Sequence, residues 1–109
     1  MCRAVKVLCV ATDEDALVRL RRASVGAGWE LVAGATDLRG ALDQLDVERP
    51  HALVVFGPFA ELVTLAAERF PGMRIITDRD TPGASAVATS VEDVRELLAE
   101  QPRPGGPVR

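Results

Sequence analysis

Oxygen-bearing side chains gather at the ends of two apolar runs in this sequence. Thr12, Asp13 and Glu14 follow the run Ala4 to Ala11; Thr77 closes the run Met73 to Thr77, and Asp78 and Asp80 come just after it. Carboxylates and hydroxyls are the ligands magnesium takes alongside phosphate and water. Open α/β sheets bind ligands at the carboxyl ends of their strands. Thr12, Asp13 and Asp78 therefore define a candidate ligand edge, and Glu14 and Asp80 extend it into a candidate metal or ligand site. The same residue types also cap helices and build turns, and that plainer reading is favoured here.

The other chemistry-bearing residues are isolated. His51, the one histidine, follows Pro50 and precedes an apolar run, with no identifiable proton-transfer partner; it reads as a loop histidine. Cys9 lies inside an apolar run, where a nucleophilic thiol would need an exposed, electropositive setting. It reads as a buried structural thiol, and Cys2 as a reduced thiol near a frayed terminus. The sequence has no glycine-rich phosphate loop, no paired-cysteine zinc motif and no nucleophile elbow.

The elements that must position these residues alternate. Ala4 to Ala11 is short, apolar on both faces and β-favouring, as a central parallel strand requires. Thr12 with Asp15 fits a capping box, and Ala16, Leu17, Leu20 and Ala23 mark a helix from about Asp13 to Val25, ended by Gly26 and Gly28. Glu30 to Ala35 reads as a second strand. Leu38, Ala41, Leu42 and Leu45 form a helical stripe over Asp37 to Leu45, stopped by Arg49-Pro50. Ala52 to Phe56 is a third strand, and Gly57-Pro58 opens a third helix with proline near its first position. Phe59, Leu62, Val63, Ala66 and Phe70 are its buried side. Met73 to Thr77 is a fourth strand and Ser85 to Thr89 a short fifth. Ser90 caps a last helix with Val91, Val94, Leu97 and Leu98 facing inward. Residues 101–109 carry three prolines and two glycines and read as a flexible tail or linker after a domain of residues 1–100.

Alternation of this kind implies a parallel sheet wrapped by helices. Only Asp78 to Ala84 joins the last two strands. An extended segment of that length spans roughly 23 Å at about 3.3 Å per residue, so a loop can make a parallel crossing but a helix cannot fit. A hairpin at Pro82-Gly83 with an antiparallel fifth strand is the alternative.

The overall chemistry narrows the partners. With 109 residues the chain holds at most one domain, and with aromatics at 4% its core rests on Val, Leu, Ala and Ile. A net charge of -3 gives no general attraction to nucleic acid or to anionic membranes. Arg19, Arg21 and Arg22 form a local basic patch that reads as a solvated helix face. No apolar run approaches a membrane span, and Val7 to Ala11 is too short for a signal peptide. A cytoplasmic protein is expected.

The stretch GWELVAGATDLRGALDQLDVERPHALVVFG, Gly28 to Gly57, resembles the receiver domain of bacterial response regulators. It carries a Gly-aromatic-Glu strand start, a helix with GALDQL, then Arg-Pro and a buried strand; AVATSVEDVRELL resembles the end of the same fold. The likeness covers about nine-tenths of the chain. It implies a flavodoxin-like (CheY-like) α/β fold: a doubly wound parallel five-stranded sheet of order 2-1-3-4-5, with the fourth helix replaced by a short loop.

The resemblance also supplies a chemical test. Receivers hold magnesium with a pair of acids after the first strand, accept phosphate on an aspartate ending the third, and carry a hydroxyl and a lysine at the ends of the fourth and fifth. Here Ala11 and Thr12 stand at the acid positions, with Asp13 and Glu14 displaced beyond them. Phe56 stands at the acceptor position, or Gly57 if the register slips by one. Thr77 matches the hydroxyl, and Thr89 replaces the lysine. Thr12, Asp13, Phe56, Thr77 and Thr89 thus read as a degenerate receiver site, with Phe56 pointing into or capping the core.

The expected function is that of a phosphorylation-independent pseudo-receiver, without enzyme activity, metal or cofactor, acting through protein contacts. The alternative is a small-molecule-binding flavodoxin-like module that uses the carboxyl edge of the sheet. Loss of the fourth helix is expected to uncover Ile75, Ile76, Val87 and the outer side of the last helix, making a homodimer or protein-docking face.

Overall fold

The computed structural model describes residues 5–25, 29–32 and 34–99. Cys2, Gly26, Gly28 and the expected tail 101–109 lie outside these residues. Nine elements follow in order: β1 (Val5–Val10), α1 (Glu14–Ser24), β2 (Trp29–Leu31), α2 (Leu38–Glu48), β3 (Ala52–Val55), α3 (Ala60–Arg69), β4 (Arg74–Thr77), β5 (Ala86–Val87) and α4 (Val91–Ala99). The five strands form one sheet in the order β2-β1-β3-β4-β5, and every pairing is parallel. Cys9 sits beside Val54 and Val54 beside Ile76, so the three central strands are in close register.

Two-sided burial explains the unbroken apolar character of the central strands. Leu8, Val10, Leu53, Val55 and Ile75 face one side, where Ala41 and Leu45 of α2 and Leu62, Val63 and Ala66 of α3 cover them. Val7, Cys9, Ala52, Val54 and Ile76 face the other, beneath Leu20 of α1 and Val94 and Leu98 of α4. Successive side chains alternate between these layers because a strand repeats every two residues. Each fully buried Leu or Ile contributes about 1.5–3 kcal/mol.

The element ends differ from the sequence expectation in instructive ways. Asp13, not Thr12, caps α1: its Oδ1 accepts from the Ala16 N–H at 2.8 Å. Asp37 caps α2 in the same manner through Gly40. Regular β2 stops at Leu31; beyond it the Val32 N–H still bonds to the Val7 carbonyl, and Ala35 pairs with Val10 of β1 in an isolated bridge. Helix α3 begins at Ala60 rather than at Pro58, because Gly57 at φ +129° and a Phe59 N–H bond back to the Gly57 carbonyl turn the chain first. Helix α2 ends on Arg49 in the left-handed conformation, at φ 47°, with Pro50 after it.

The connection before β5 settles the direction of that strand. Pro82-Gly83 does form a turn: Ala84 N–H bonds to the Thr81 carbonyl at 3.0 Å and Gly83 takes φ +96°, as the third position of a type II turn demands. The turn does not reverse the strand. Ser85 N–H reaches the Ile75 carbonyl at 2.7 Å, Ala88 N–H reaches that of Thr77 at 2.7 Å, and β5 runs parallel to β4.

The loop also covers what it was expected to leave bare. A Cβ on Gly83 would lie 3.2 Å from that of Ala67 and 3.5 Å from Val63 Cγ1, so the turn lies directly on α3. Ala84 packs against the same core layer and Thr81 is buried. Ile75, on the face that α3 and this turn cover, is 1% exposed, and Ile76, on the opposite face beneath α1 and α4, is 0% exposed. They are core residues and offer no docking surface; Val87, at 42%, is the exposed member of the expected trio. No helix among the described residues is long and apolar enough to cross a membrane.

Candidate functional site

Strand order reverses between β1 and β3, so the crevice beyond their carboxyl ends is where this fold places a ligand. Three segments meet there: Ala11-Thr12-Asp13 after β1, Phe56-Gly57-Pro58 after β3, and Thr77-Asp78-Arg79 at the end of β4. Gly57 is their meeting point. A Cβ built on it would come within 2.6 Å of Thr12 Cγ2 and 3.1 Å of the Phe59 ring, so the threonine methyl and the ring leave no room for a side chain. The Gly57 N–H donates to Asp78 Oδ1 at 3.2 Å. Thr12 and Asp78, both expected at the ligand edge, are therefore brought together on a glycine backbone rather than on an open site.

Asp13, Asp78 and Thr77 already have partners within the chain. Asp13 turns its carboxylate into its own helix. Asp78 accepts from Arg79 Nε at 3.1 Å and from Nη2 at 3.2 Å, and its carboxylate in turn raises the Arg79 pKa. The Thr77 hydroxyl donates to the Arg79 carbonyl at 2.5 Å, and the Thr81 hydroxyl donates to the same carbonyl at 3.1 Å. Thr77 is 2% exposed. Its hydroxyl holds the loop after β4 in shape. Glu14 and Asp80 are exposed. Among the described residues no group of three or more His, Cys, Asp and Glu is placed to hold a metal ion.

Phe56 is half-buried. Its N–H continues the ladder to the Val10 carbonyl at 2.9 Å, and its ring packs with the layer that holds Ala11, Val54 and Ala88. Thr89 is drawn away to the start of α4, where its N–H and hydroxyl both donate to Asp93 Oδ2, at 3.0 and 2.5 Å. The Thr89 hydroxyl bond is the main cause of a lowered Asp93 pKa. Acid at the third helical position reaching back to the preceding backbone is the logic of a capping box, displaced by one residue from Ser90.

His51 and Cys9 lie outside this crevice. His51 is at the amino end of β3, where Nδ1 accepts the Lys6 backbone N–H at 3.0 Å, so it serves as a strand-end cap. Burial pushes the Cys9 thiol up to about 11, partly offset by the Ser24 hydroxyl and the Arg21 charge. It is a thiol at neutral pH, without nucleophilic character. The Asp78 bond to Gly57 spans 21 residues, and no local pattern announces it. The Asp-Arg pair at 78 and 79 was the one available sequence signal that this carboxylate has a partner of its own.

Solved structures share this architecture at low sequence identity. A CheY-like response regulator receiver domain from Methanospirillum hungatei JF-1 matches with a TM-score of 0.72 at 20% identity, over 90% of this chain and 93% of that one. The signal receiver domain of the response regulator NarL from Mycobacterium tuberculosis matches with a TM-score of 0.72 at 15% identity, over 91% and 96%. A cobalamin-binding protein from Desulfitobacterium hafniense DCB-2 matches with a TM-score of 0.66 at 18% identity, over 89% of this chain and 58% of that one. No protein-family model matches the chain, and no curated protein sequence matches it. The chain has the receiver fold.

Proposed function

We propose that the chain is a phosphorylation-independent pseudo-receiver: a cytoplasmic signalling or regulatory domain that acts by binding protein and catalyses nothing. The observation that carries this reading is the composition of the crevice. A receiver needs an aspartate, a metal-holding pair of acids and a cation there, since phosphoryl transfer demands a nucleophile and charge balance. Here Phe56 and Gly57 occupy the acceptor position, a threonine methyl and a phenyl ring fill the space over Gly57, and Asp13 and Asp78 are spent on backbone and arginine partners. Incubation with acetyl phosphate and magnesium, or with beryllofluoride and magnesium, should leave mass and spectra unchanged. A stoichiometric acyl phosphate would overturn the reading.

A second reading has one observation in its favour. A protein described as cobalamin-binding shares this architecture over 58% of its own length, and open α/β sheets bind ligands at the carboxyl ends of their strands, which favours a ligand module as the alternative. A thermal-shift screen of nucleotides, corrinoids and metal ions separates the two: a saturable shift that Asp78→Ala abolishes supports a ligand module, and no shift leaves the pseudo-receiver.

A further inference from the structure

Helices α1 and α4 lie side by side on one face of the sheet, and a groove of about 580 Å³ runs between them. That size is within the roughly 300–1,000 Å³ of small-molecule sites. Thr12, Gly57 and Asp78 of the crevice are not among its lining residues. Ala23 and Val91, both half-buried, give it an apolar floor. Arg19 and Arg22, three positions apart and so neighbours on α1, make one wall. Glu92, Arg95 and Glu96 of α4 make the other. All five charged side chains are exposed. Yet the ion pairs formed among the described residues are Lys6–Glu48, Arg69–Asp46 and Arg79–Asp78, none of them here. The groove between α2 and α3 also mixes arginines with acids, but there Asp46 and Arg69 pair across it at 3.8 Å.

Three guanidinium groups around one apolar-floored groove, in a chain of net charge -3, are a concentration of cation that the fold does not spend on its own carboxylates. We infer that the α1–α4 groove is a binding site for a nucleoside phosphate. Arginine forks match phosphate oxygens two at a time, so Arg19 and Arg22 on neighbouring turns suit the phosphate end. The same planar group stacks on aromatic faces, so Arg95 together with the floor of Ala23 and Val91 suits a base ring. Carboxylates accept hydrogen bonds and donate none when ionised. Glu92 and Glu96 therefore suit the amino group of a base and the hydroxyls of a ribose. A bare anion would meet two like charges in this lining, which disfavours it. A molecule with a phosphate at one end, a flat ring and hydrogen-bond donors uses every lining group. The inference goes beyond the pseudo-receiver reading, for it places a ligand on the helical face whatever protein the domain binds.

The test titrates the full chain with ATP, ADP, GTP, adenosine and inorganic pyrophosphate, read by calorimetry and by amide chemical shifts. At least one nucleotide should bind saturably, more weakly as salt is added, and move the amide signals of Ala23, Val91 and their helical neighbours. Adenosine and pyrophosphate, each carrying half of the recognised chemistry, should bind roughly tenfold or more weakly than that nucleotide. Arg19→Gln with Arg22→Gln should weaken the nucleotide by roughly tenfold or more and leave adenosine binding unchanged. Circular dichroism checks that this variant is folded, and the shift map of the native chain locates the site without any variant. Asp78→Ala should leave nucleotide binding unchanged. No saturable binding of any of the three nucleotides up to millimolar concentration would overturn the inference. So would pyrophosphate binding as tightly as the nucleotides, which marks a general anion patch, or a shift map centred outside the groove. Binding that Asp78→Ala abolishes and the arginine variant does not would place the ligand in the crevice and overturn it as well. Acyl phosphate formation would strike the pseudo-receiver reading alone and leave this result standing.

Discussion

Replacing Gly57 by alanine tests the packing of the crevice most directly. The added Cβ would lie 2.6 Å from Thr12 Cγ2, roughly 1 Å short of a carbon–carbon optimum near 3.5 Å. The backbone at φ +129° is in addition a conformation that side-chain-bearing residues rarely adopt. Backbone strain of this kind costs about 1–3 kcal/mol, and overpacking adds about 1–3 kcal/mol. A loss of about 2–6 kcal/mol is therefore expected, enough to lower the melting temperature of a domain this size by about 10 °C or more. Denaturant unfolding followed through Trp29, the one tryptophan, reads it out, since the indole N–H bonds to the Ser24 carbonyl and reports the packing of β2 against α1. Adding Thr12→Ser removes the clashing methyl from an exposed residue and should restore the steric part while leaving the backbone part. An alanine variant within about 0.5 kcal/mol of the native protein, or a double variant no better than the single one, would refute the account. The same geometry obstructs an aspartate at this position, so a phosphate acceptor cannot be restored at Gly57 without moving the backbone.

Phe56→Asp should also fail to yield a phosphorylated protein, and because the ring is only half-buried its cost should fall below the roughly 3–5 kcal/mol of a fully buried phenylalanine truncation; chemical denaturation and intact-mass analysis after acetyl phosphate check both parts. The Cys9 thiol, raised from 9.0 to about 11, binds its proton more tightly in the folded state than in the unfolded one, so stability present below pH 9 should decline as pH rises toward 11. The two-unit difference amounts to ~2–3 kcal/mol, and Cys9→Ala should flatten that part of the pH–stability curve relative to the native protein. Arg49→Gly should raise stability by about 0.5–1 kcal/mol, because glycine removes a left-handed penalty of about 1–2 kcal/mol at the end of α2 at a smaller entropic cost; a lower denaturation midpoint would contradict it.

The order of elements was legible because two-sided burial writes itself into short runs such as AVKVLCVA and ALVVF, and because Asp37 and Arg49-Pro50 mark the ends of α2. The parallel order of the sheet followed from the alternation. What was not legible depended on contacts between distant residues. The turn at Pro82-Gly83 was visible locally, but neither its placement on Ala67 and Val63 above Ile75 nor the cover of α1 and α4 over Ile76 was, and so both isoleucines were expected on a surface when they are core. The start of α3 shifted past Pro58 because Gly57 adopts a backbone angle set by Thr12 and Asp78, residues 45 and 21 positions away in sequence. Asp78 itself shows the same limit. A carboxylate after a strand reads as a ligand, a cap or a turn residue alike, and only its neighbours in space decide among them.

The edges of the sheet have a consequence of their own. The strands at its two margins, Trp29–Leu31 and Ala86–Val87, are its shortest, three and two residues against six in β1. A sheet grows sideways when its outer strand offers a long row of free N–H and C=O groups to a strand from another molecule. Margins this brief give an incoming strand too few partners to hold register, so lateral growth toward fibres is checked by length alone, without a guarding proline or lysine within either margin. Molecules of this kind can crowd one another while their sheets stay closed.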